Sequence, residues 1–364
     1  MLIFFIVLIG LSVLILGHEA GHFLFAKLFG LKVDEFGIGF PPRMFAWRPR
    51  KKKVTPDEEP GETEYSINWL PFGGFVRISG ERGEFAMVED DPMSSAAPER
   101  HDGRSRLFFA QPAWKKSVIV LAGIAVNFVL GWFLLSAVLM VGTPKALVIT
   151  GIEPGSPAAS AHIQNGDVVK GFTGSQSFID YIDAHAGQPT PIVLLRNDKE
   201  IDLTVTPRAN VGPNEGRLGV VLSDGGTARE PFFRALWDGL QSSLILSGMI
   251  FTTLWHLVSD LFVHAKLLNG VVGPVGIFDV AEETGKIGLM YLVQLLGVIS
   301  LNLAAVNLIP FPALDGGRFL MVLIEKIKGS PIPEKAEAWI NGVGFAFILL
   351  LMVLLTVRDV SGLI

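Results

Sequence analysis

Four stretches of this chain are almost entirely apolar, and each is long enough to cross a lipid bilayer as a helix. They cover residues 2–28, 117–141, 287–309 and 339–357. A helix needs about 20 such residues to span the hydrocarbon core. The first stretch lacks the basic start and the small-residue cleavage site of a signal peptide, so we interpret it as a membrane helix. The sequence therefore predicts a polytopic α-helical membrane protein with four transmembrane helices.

The composition favours the same interpretation. Hydrophobic residues make up 50% of the 364 residues and charged residues only 18%, and a soluble protein could not bury so much apolar surface. The formal charge of −5 is small and dispersed, so we expect no nucleic-acid partner. The chain has no cysteine, which excludes disulfides and thiolate metal ligands. Any transition metal would be held by His, Asp or Glu.

A fifth apolar stretch, residues 240–258, is interrupted by Gln241, His256 and several hydroxyl side chains. The residues that precede it, among them Arg234 and Trp237, suit a helix lying along the membrane interface. Hydropathy alone leaves both a spanning and an interfacial helix open. We favour the interfacial helix.

Basic residues set the predicted orientation. They cluster at 48–53 and 104–116, and again at 318–335 between the third and fourth stretches. Between the second stretch and Lys170, only Lys145 is basic. The positive-inside rule then places the loops after the first and third helices in the cytoplasm and residues 142–286 outside it.

Residues 145–223 have the pattern of a small soluble domain. Strand-like segments at 147–152, 168–172, 192–196 and 201–206 are separated by turn signals such as Asn165-Gly166-Asp167. We expect an α+β domain inserted between membrane helices.

The first apolar stretch contains His18-Glu19-Ala20-Gly21-His22, an H-E-x-x-H sequence. On a helix, positions i and i+4 share a face, so both imidazoles can reach one zinc ion while the glutamate acts as general base on a water. The bare pattern also occurs by chance. Ionisable groups inside a membrane helix, however, are costly and usually functional. The bland alternative is a helix end that already lies in the headgroup layer.

A catalytic zinc needs a third protein ligand, and the candidate is Asp315. It lies in a Pro- and Gly-rich segment, residues 307–317, directly after the third apolar stretch. A helix cap at the membrane surface is the alternative role for this aspartate. Asp315 can reach the histidines only if residues 240–258 do not span, because a fifth span would put it on the opposite face. The zinc site and the interfacial helix therefore depend on each other.

Together, these motifs resemble the site-2 protease family, in particular its bacterial RseP type. The segment 123–128 resembles the family's G-P-x-x-N-F motif, with Ile124 where proline is usual, and the resemblance implies that Asn127 is a supporting residue. The segments 36–40 and 68–76 resemble the family's membrane-reentrant β-hairpin and the strand that follows it.

The resemblance implies a fold and a set of functional residues. The expected fold has four transmembrane helices, a membrane-associated β-hairpin or sheet and an inserted PDZ-like domain. The expected zinc ligands are His18, His22 and Asp315, and the expected catalytic base is Glu19. The residues expected to bind the unwound substrate are Asn302, Asn307, Pro310, Pro312, Gly37 and Gly39. Asparagine side chains can pair with freed backbone groups, and the glycine-containing strand can do so by strand addition. Asn302 and Asn307 could instead only bond neighbouring helices.

The PDZ-like domain is expected outside the cytoplasm, in a bacterial cytoplasmic (inner) membrane. It would filter substrates by size, so that single-span proteins enter only after an upstream site-1-type protease has trimmed them. Leu218, Gly219 and Val220 resemble a carboxylate-binding loop. A spacer domain without a ligand is the alternative.

The predicted domains follow from these assignments. They are a first transmembrane helix (1–30), a cytoplasmic segment with the hairpin (31–113), a second transmembrane helix (114–142), the PDZ-like domain (143–224), interfacial helices (225–286), a third transmembrane helix with the ligand loop (287–337) and a fourth transmembrane helix (338–364). Two other functions are considered, a non-catalytic membrane scaffold and a metal transporter. The complete ligand set argues against the first, and Glu19 and the inserted domain argue against the second.

Overall fold

The computed structural model describes residues 2–49, 63–81, 104–143, 146–172, 174–196, 199–212, 215–264 and 273–362. Residues 50–53 of the basic cluster lie outside this part of the chain. In chain order the elements are α1 (Leu2–Leu28), β1 (Val33–Trp47), β2 (Glu64–Ile78), α2 (Ala113–Val141), β3 (Ala146–Ile152), α3 (Pro157–Ser160), β4 (Val168–Val169), α4 (Ser175–Ala184), β5 (Thr190–Arg196), β6 (Lys199–Val205), β7 (Val220–Gly225), α5 (Phe232–His264), α6 (Pro274–Ile287), α7 (Leu289–Leu308), α8 (Asp315–Lys328) and α9 (Glu334–Gly362).

Four of the helices, α1, α2, α7 and α9, are long and apolar enough to cross a membrane. The qualifying segments are Ile3–Leu28, Ala113–Val141, Leu289–Leu308 and Lys335–Ser361. Within the described residues, four candidate membrane spans are present, which is the predicted number. Helix α5 is 33 residues long but does not qualify as a span in the described part of the chain. Its position at the membrane interface remains a prediction.

The chain divides into two compact units. The first comprises Met1–Leu135, Leu240–Ala281 and Leu295–Ile364. It contains the antiparallel pair β1 and β2, in which buried and less buried residues alternate from Val33 to Gly39, as a strand with one covered face requires. Phe36 pairs with both Val76 and Tyr65, because β2 returns along the other side of β1. Residues 74–78 thus form an outer segment of this sheet.

The second unit comprises Ser136–Gly239 and Glu282–Gln294. Its sheet has five strands in the order β6-β5-β4-β3-β7, all antiparallel. The core between the sheet and helices α3 and α4 is built from fully buried apolar side chains, including Leu147, Ile149, Phe178 and Leu194. Asp167, from the predicted turn, is also buried there and pairs with Arg196.

Candidate metal centre

Helix α1 brings His18 and His22 to the same face, as their i, i+4 spacing requires. Their Nε2 atoms are 3.1 Å apart, and each residue is 8% exposed. Two glycines make room for this arrangement. A Cβ at Gly21 would lie 2.7 Å from the carbonyl oxygen of Ala122 in α2, so the two helix backbones are in close contact there. A Cβ at Gly123 would lie 2.5 Å from Nε2 of His22, so any side chain at that position would displace the imidazole.

A backbone carbonyl orients the second histidine. Nδ1 of His22 lies 2.8 Å from the carbonyl oxygen of Ile119, which can only accept a hydrogen bond. The proton of a neutral His22 is therefore on Nδ1, and the lone pair of Nε2 points into the site. Partners of this kind on the second ring nitrogen are typical of metal-binding histidines.

Asn127, the predicted supporting residue, lies against the first histidine. It is 1% exposed, and its Nδ2 is 3.3 Å from Nδ1 of His18. Its Oδ1 is buried without a hydrogen-bond partner. A half-turn of the amide, which exchanges its oxygen and nitrogen, would let that oxygen accept a proton from Nδ1 of His18. In this orientation the lone pair of Nε2 of His18 also points into the site.

Asp315 reaches the same point from the first turn of α8. Its Oδ2 is 2.9 Å from Nε2 of His18 and 3.2 Å from Nε2 of His22. Burial raises the pKa of its carboxyl, but the positive charge that His22 carries when a proton takes the place of a metal ion, and the contacts with both imidazoles, lower it, and the net pKa lies below the usual range. The carboxyl is therefore ionised, as a metal ligand must be.

The loop before Asp315 is held by close backbone contacts. A Cβ at Gly316 would lie 2.5 Å from the carbonyl oxygen of Leu308, so only glycine fits beside the end of α7. Ala313 has a φ of 71°, which is unfavourable for a residue with a side chain. Its N–H donates to Oδ1 of the buried Asn341 in α9, at 3.3 Å. Helix α9 thus fixes the loop that presents the aspartate.

The three ligand atoms fit a zinc ion. A tetrahedral zinc with bonds of about 2.0–2.1 Å keeps its ligands about 3.3–3.4 Å apart, a few tenths of an ångström more than the distances here. Oδ2 of Asp315 is buried without a hydrogen-bond donor and faces two imidazole lone pairs. Three electron-rich atoms so close together repel one another unless a proton or a metal ion lies between them. Within the described residues, His18, His22 and Asp315 are the one group arranged to hold a metal.

Glu19 lies beside this group in the same turn of α1. It is half-buried, and its Oε2 accepts a hydrogen bond from the backbone N–H of Val76 at 3.2 Å. Val76 belongs to the outer segment of the β1–β2 sheet. This segment can approach α1 closely because Gly74 has no side chain; a Cβ there would lie 2.9 Å from Leu16. One carboxylate oxygen is thus anchored to a strand.

The other predicted residues of this unit lie in helix α7, in the loop before Asp315 and in the β1–β2 sheet. The amide of Asn302 donates to the carbonyl oxygen of Val298 in its own helix at 3.1 Å, and Asn307 is half-buried near the end of α7. Pro310 and Pro312 lie in the loop between α7 and α8. Gly37 and Gly39 are buried in β1, where Gly39 has a φ of 79°. Their roles in substrate binding remain predictions.

The predicted peptide loop lies in the second unit. Leu218 is buried, Gly219 has a φ of 69°, and Val220 begins the edge strand β7. The carbonyl oxygen of Gly219 accepts a hydrogen bond from the N–H of Glu153 at 2.9 Å.

Several groups at the centre are absent from the sequence-based prediction. They are the N–H of Val76, the carbonyl of Ile119, the glycines Gly21 and Gly123, and Asn341. Of these groups, only the glycines and Asn341 depend on the residue type and could have been recognised in the sequence. Gly123 and Asn127 are four residues apart on one helix face, the same spacing as the two histidines they contact.

Comparison with known proteins gives consistent results. A family model described as Peptidase family M50 matches residues 5–351. The regulator of sigma-W protease RasP of Bacillus subtilis is 29% identical over 430 aligned positions, covering 99% of this chain and 98% of that protein. Zinc metalloprotease RasP of Geobacillus kaustophilus is 30% identical over 434 positions, with 99% and 97% coverage. Zinc metalloprotease RasP of Bacillus licheniformis is 29% identical over 424 positions, with 96% coverage of both chains.

Proposed function

Because this chain belongs to peptidase family M50, the site-2 proteases, and is a zinc metalloendopeptidase, we propose that it cleaves the membrane-spanning segments of single-span proteins that another protease has already trimmed. The observation that supports this most directly is the convergence of Asp315 with His18 and His22. Two of its three residues, His18 and His22, lie within the apolar helix α1, so a substrate bond would be cut within the membrane.

We assign His18, His22 and Asp315 as the zinc ligands and Glu19 as the general base. Bound zinc supplies Lewis acidity, which polarises a carbonyl and lowers the pKa of water. The N–H of Val76 occupies one oxygen of Glu19, which leaves the other to take a proton from the attacking water. Glu19 then gives that proton to the leaving amine of the substrate, and the carboxylate is regenerated.

The substrate backbone must be extended before it can react, because the peptide bonds of a helix are shielded. The outer segment of the β1–β2 sheet supports a route for this, since a strand added to it would lie beside Glu19. We also assign Gly37 and Gly39 of the adjacent strand β1 to this region; the ring of Phe75 and the carbonyl oxygen of Leu70 lie where a Cβ on them would be. We assign Asn307 to the far side of the extended substrate. Asn302 would join only by giving up its bond to Val298.

The five-stranded domain supports the expected size filter. We propose that it is PDZ-like, that it lies outside the cytoplasm of a bacterium, and that Leu218, Gly219 and Val220 form its peptide loop. Substrates with bulky external domains would be excluded until a site-1-type protease has removed those domains. One relative is named regulator of sigma-W protease RasP, and we infer anti-sigma factors or signal-peptide remnants as the substrate class here.

A metal transporter would need successive ligand groups across the bilayer. The described residues contain a single such group, so the protease fits better.

The test compares wild type with Glu19→Gln in proteoliposomes that contain a trimmed single-span substrate. We expect Glu19→Gln to keep its zinc and to lose cleavage by about 10²–10⁴-fold, the usual contribution of a general base. His22→Ala is the matched control, because it should lose both zinc and cleavage. Undiminished cleavage by Glu19→Gln would remove this residue from the mechanism.

A further inference from the structure

Helix α8 is the short helix that carries Asp315 between two membrane spans. Residues 309–314 join it to α7 and residues 329–333 join it to α9. Its end is set by Gly329, which has a φ of 74° and whose N–H donates to the carbonyl oxygen of Glu325 at 2.9 Å. With connections this short, α8 stays close to the membrane face at which α7 ends and α9 begins.

One side of α8 faces the protein. Met321 and Val322 are buried there. Two ion pairs lie on the same side, one between Arg318 and Glu81 at 3.0 Å and one between Glu325 and Lys116 at 3.3 Å. Glu325 also accepts a hydrogen bond from the N–H of Ile332 at 3.0 Å. The only acidic side chain of α8 after Asp315 is thus turned inward.

The opposite side of α8 has an apolar stripe. Leu320, Ile324 and Ile327 follow one another at spacings of four and three residues, which places them on one helix face. They are 40%, 42% and 86% exposed. Two exposed lysines, Lys326 and Lys328, flank this stripe, and neither has an ion-pair partner among the described residues. An apolar stripe with lysines at its edges is the pattern of a helix that lies in the headgroup layer.

We propose that α8 binds the bilayer directly, with its apolar stripe in the boundary between headgroups and acyl chains and with Lys326 and Lys328 on anionic phospholipid headgroups. The flanking charge is entirely positive, so the matching lipid is anionic. Since Asp315 is the first residue of the same helix, this contact also holds a metal-ligand residue in place. The lipid surface becomes part of what positions the metal centre.

The first test measures where the stripe lies and does not need activity. The natural chain has no cysteine, so Ile327→Cys gives a single labelling site for an environment-sensitive fluorophore. The labelled full chain is placed in phosphatidylcholine vesicles that contain phosphatidylglycerol. We expect quenching by lipids with a spin label near the headgroup and little quenching by aqueous iodide. Iodide quenching alone would place the stripe in water, and protection from both quenchers would mean that protein covers it; either result overturns the proposal.

The second test measures the effect of the lysines on cleavage. We expect faster cleavage in vesicles with phosphatidylglycerol than in pure phosphatidylcholine. Lys328→Gln should lower this enhancement by up to about fivefold, the effect of one lysine near an anionic surface. Its rate in neutral vesicles should stay the same. Lys199→Gln is the matched control, since it removes an exposed lysine from β6 and should keep the enhancement. Equal enhancement in both variants would overturn the role of the lysines.

Discussion

Two buried aspartates, one in each unit, have opposite surroundings. Asp167 is 1% exposed, and both of its oxygens are used: Oδ1 accepts from Nε of Arg196 at 2.7 Å, and Oδ2 accepts from Nη2 of Arg196 at 2.7 Å and from the N–H of Gln164 at 2.8 Å. Asp315 is 9% exposed, and its Oδ2 faces two imidazole nitrogens without a hydrogen-bond donor. A buried carboxylate whose oxygens both accept hydrogen bonds stabilises a fold, whereas a carboxylate oxygen that faces only other acceptors is suited to binding a cation.

The same substitution at both positions separates these roles, and the larger effect is expected at the metal centre. Asp315→Asn removes the negative ligand, so the purified chain should contain almost no zinc. Cleavage should fall by more than about 1,000-fold, because metal-ion catalysis contributes several kcal/mol to transition-state stabilisation. The measurements are metal analysis and cleavage of a trimmed single-span substrate. Zinc at the wild-type level would show that Asp315 is not a ligand.

A smaller effect is expected at the residue behind His18. Asn127→Ala should weaken zinc binding by about 10–100-fold, the usual effect of removing a partner of a metal-binding histidine. Asn127→Asp keeps an oxygen that can accept the proton of Nδ1, so it should bind zinc more tightly than Asn127→Ala. Zinc competition with a chelator measures both. If Asn127→Asp were the weaker binder, the amide must donate to His18, and the proposed orientation of the amide would be wrong.

The sequence predicted the part of the centre that depends on local spacing and on the length of apolar runs. The four spans follow from uninterrupted apolar stretches, and His18, Glu19 and His22 follow from helix periodicity. Asp315 is the candidate because it follows the third apolar stretch in a Pro- and Gly-rich segment, and it can reach the histidines only if residues 240–258 do not span the membrane. Its distance of 2.9 Å from His18 satisfies that requirement. The resemblance to the site-2 proteases is confirmed by the match to peptidase family M50.

The groups that hold these residues in place could not be predicted in the same way. The N–H of Val76 and the carbonyl of Ile119 are backbone groups of a kind that nearly every residue has, so no residue type marks them. Their position depends on β2 returning along both sides of β1 and on two glycines that let α1 and α2 touch. For the same reason, no local pattern marked Asp167, within a predicted turn, as the buried partner of Arg196.

The smallest effect on activity is expected at that second aspartate. Asp167→Asn leaves Arg196 without its charged partner, and the guanidinium is itself partly exposed, with 22% of its side-chain surface accessible. We therefore expect a loss of stability of about 3 kcal/mol, at the lower end of what breaking a buried ion pair costs. Amide hydrogen exchange in the full chain measures it, as faster exchange in β4 and β5, where Arg196 and Asp167 tie the strands to the turn. Zinc content and cleavage should match wild type. If Asp167→Asn also lost zinc, hydrogen-bond saturation would not distinguish the two aspartates, and the assignment of Asp315 would have to stand on its distances to the imidazoles alone.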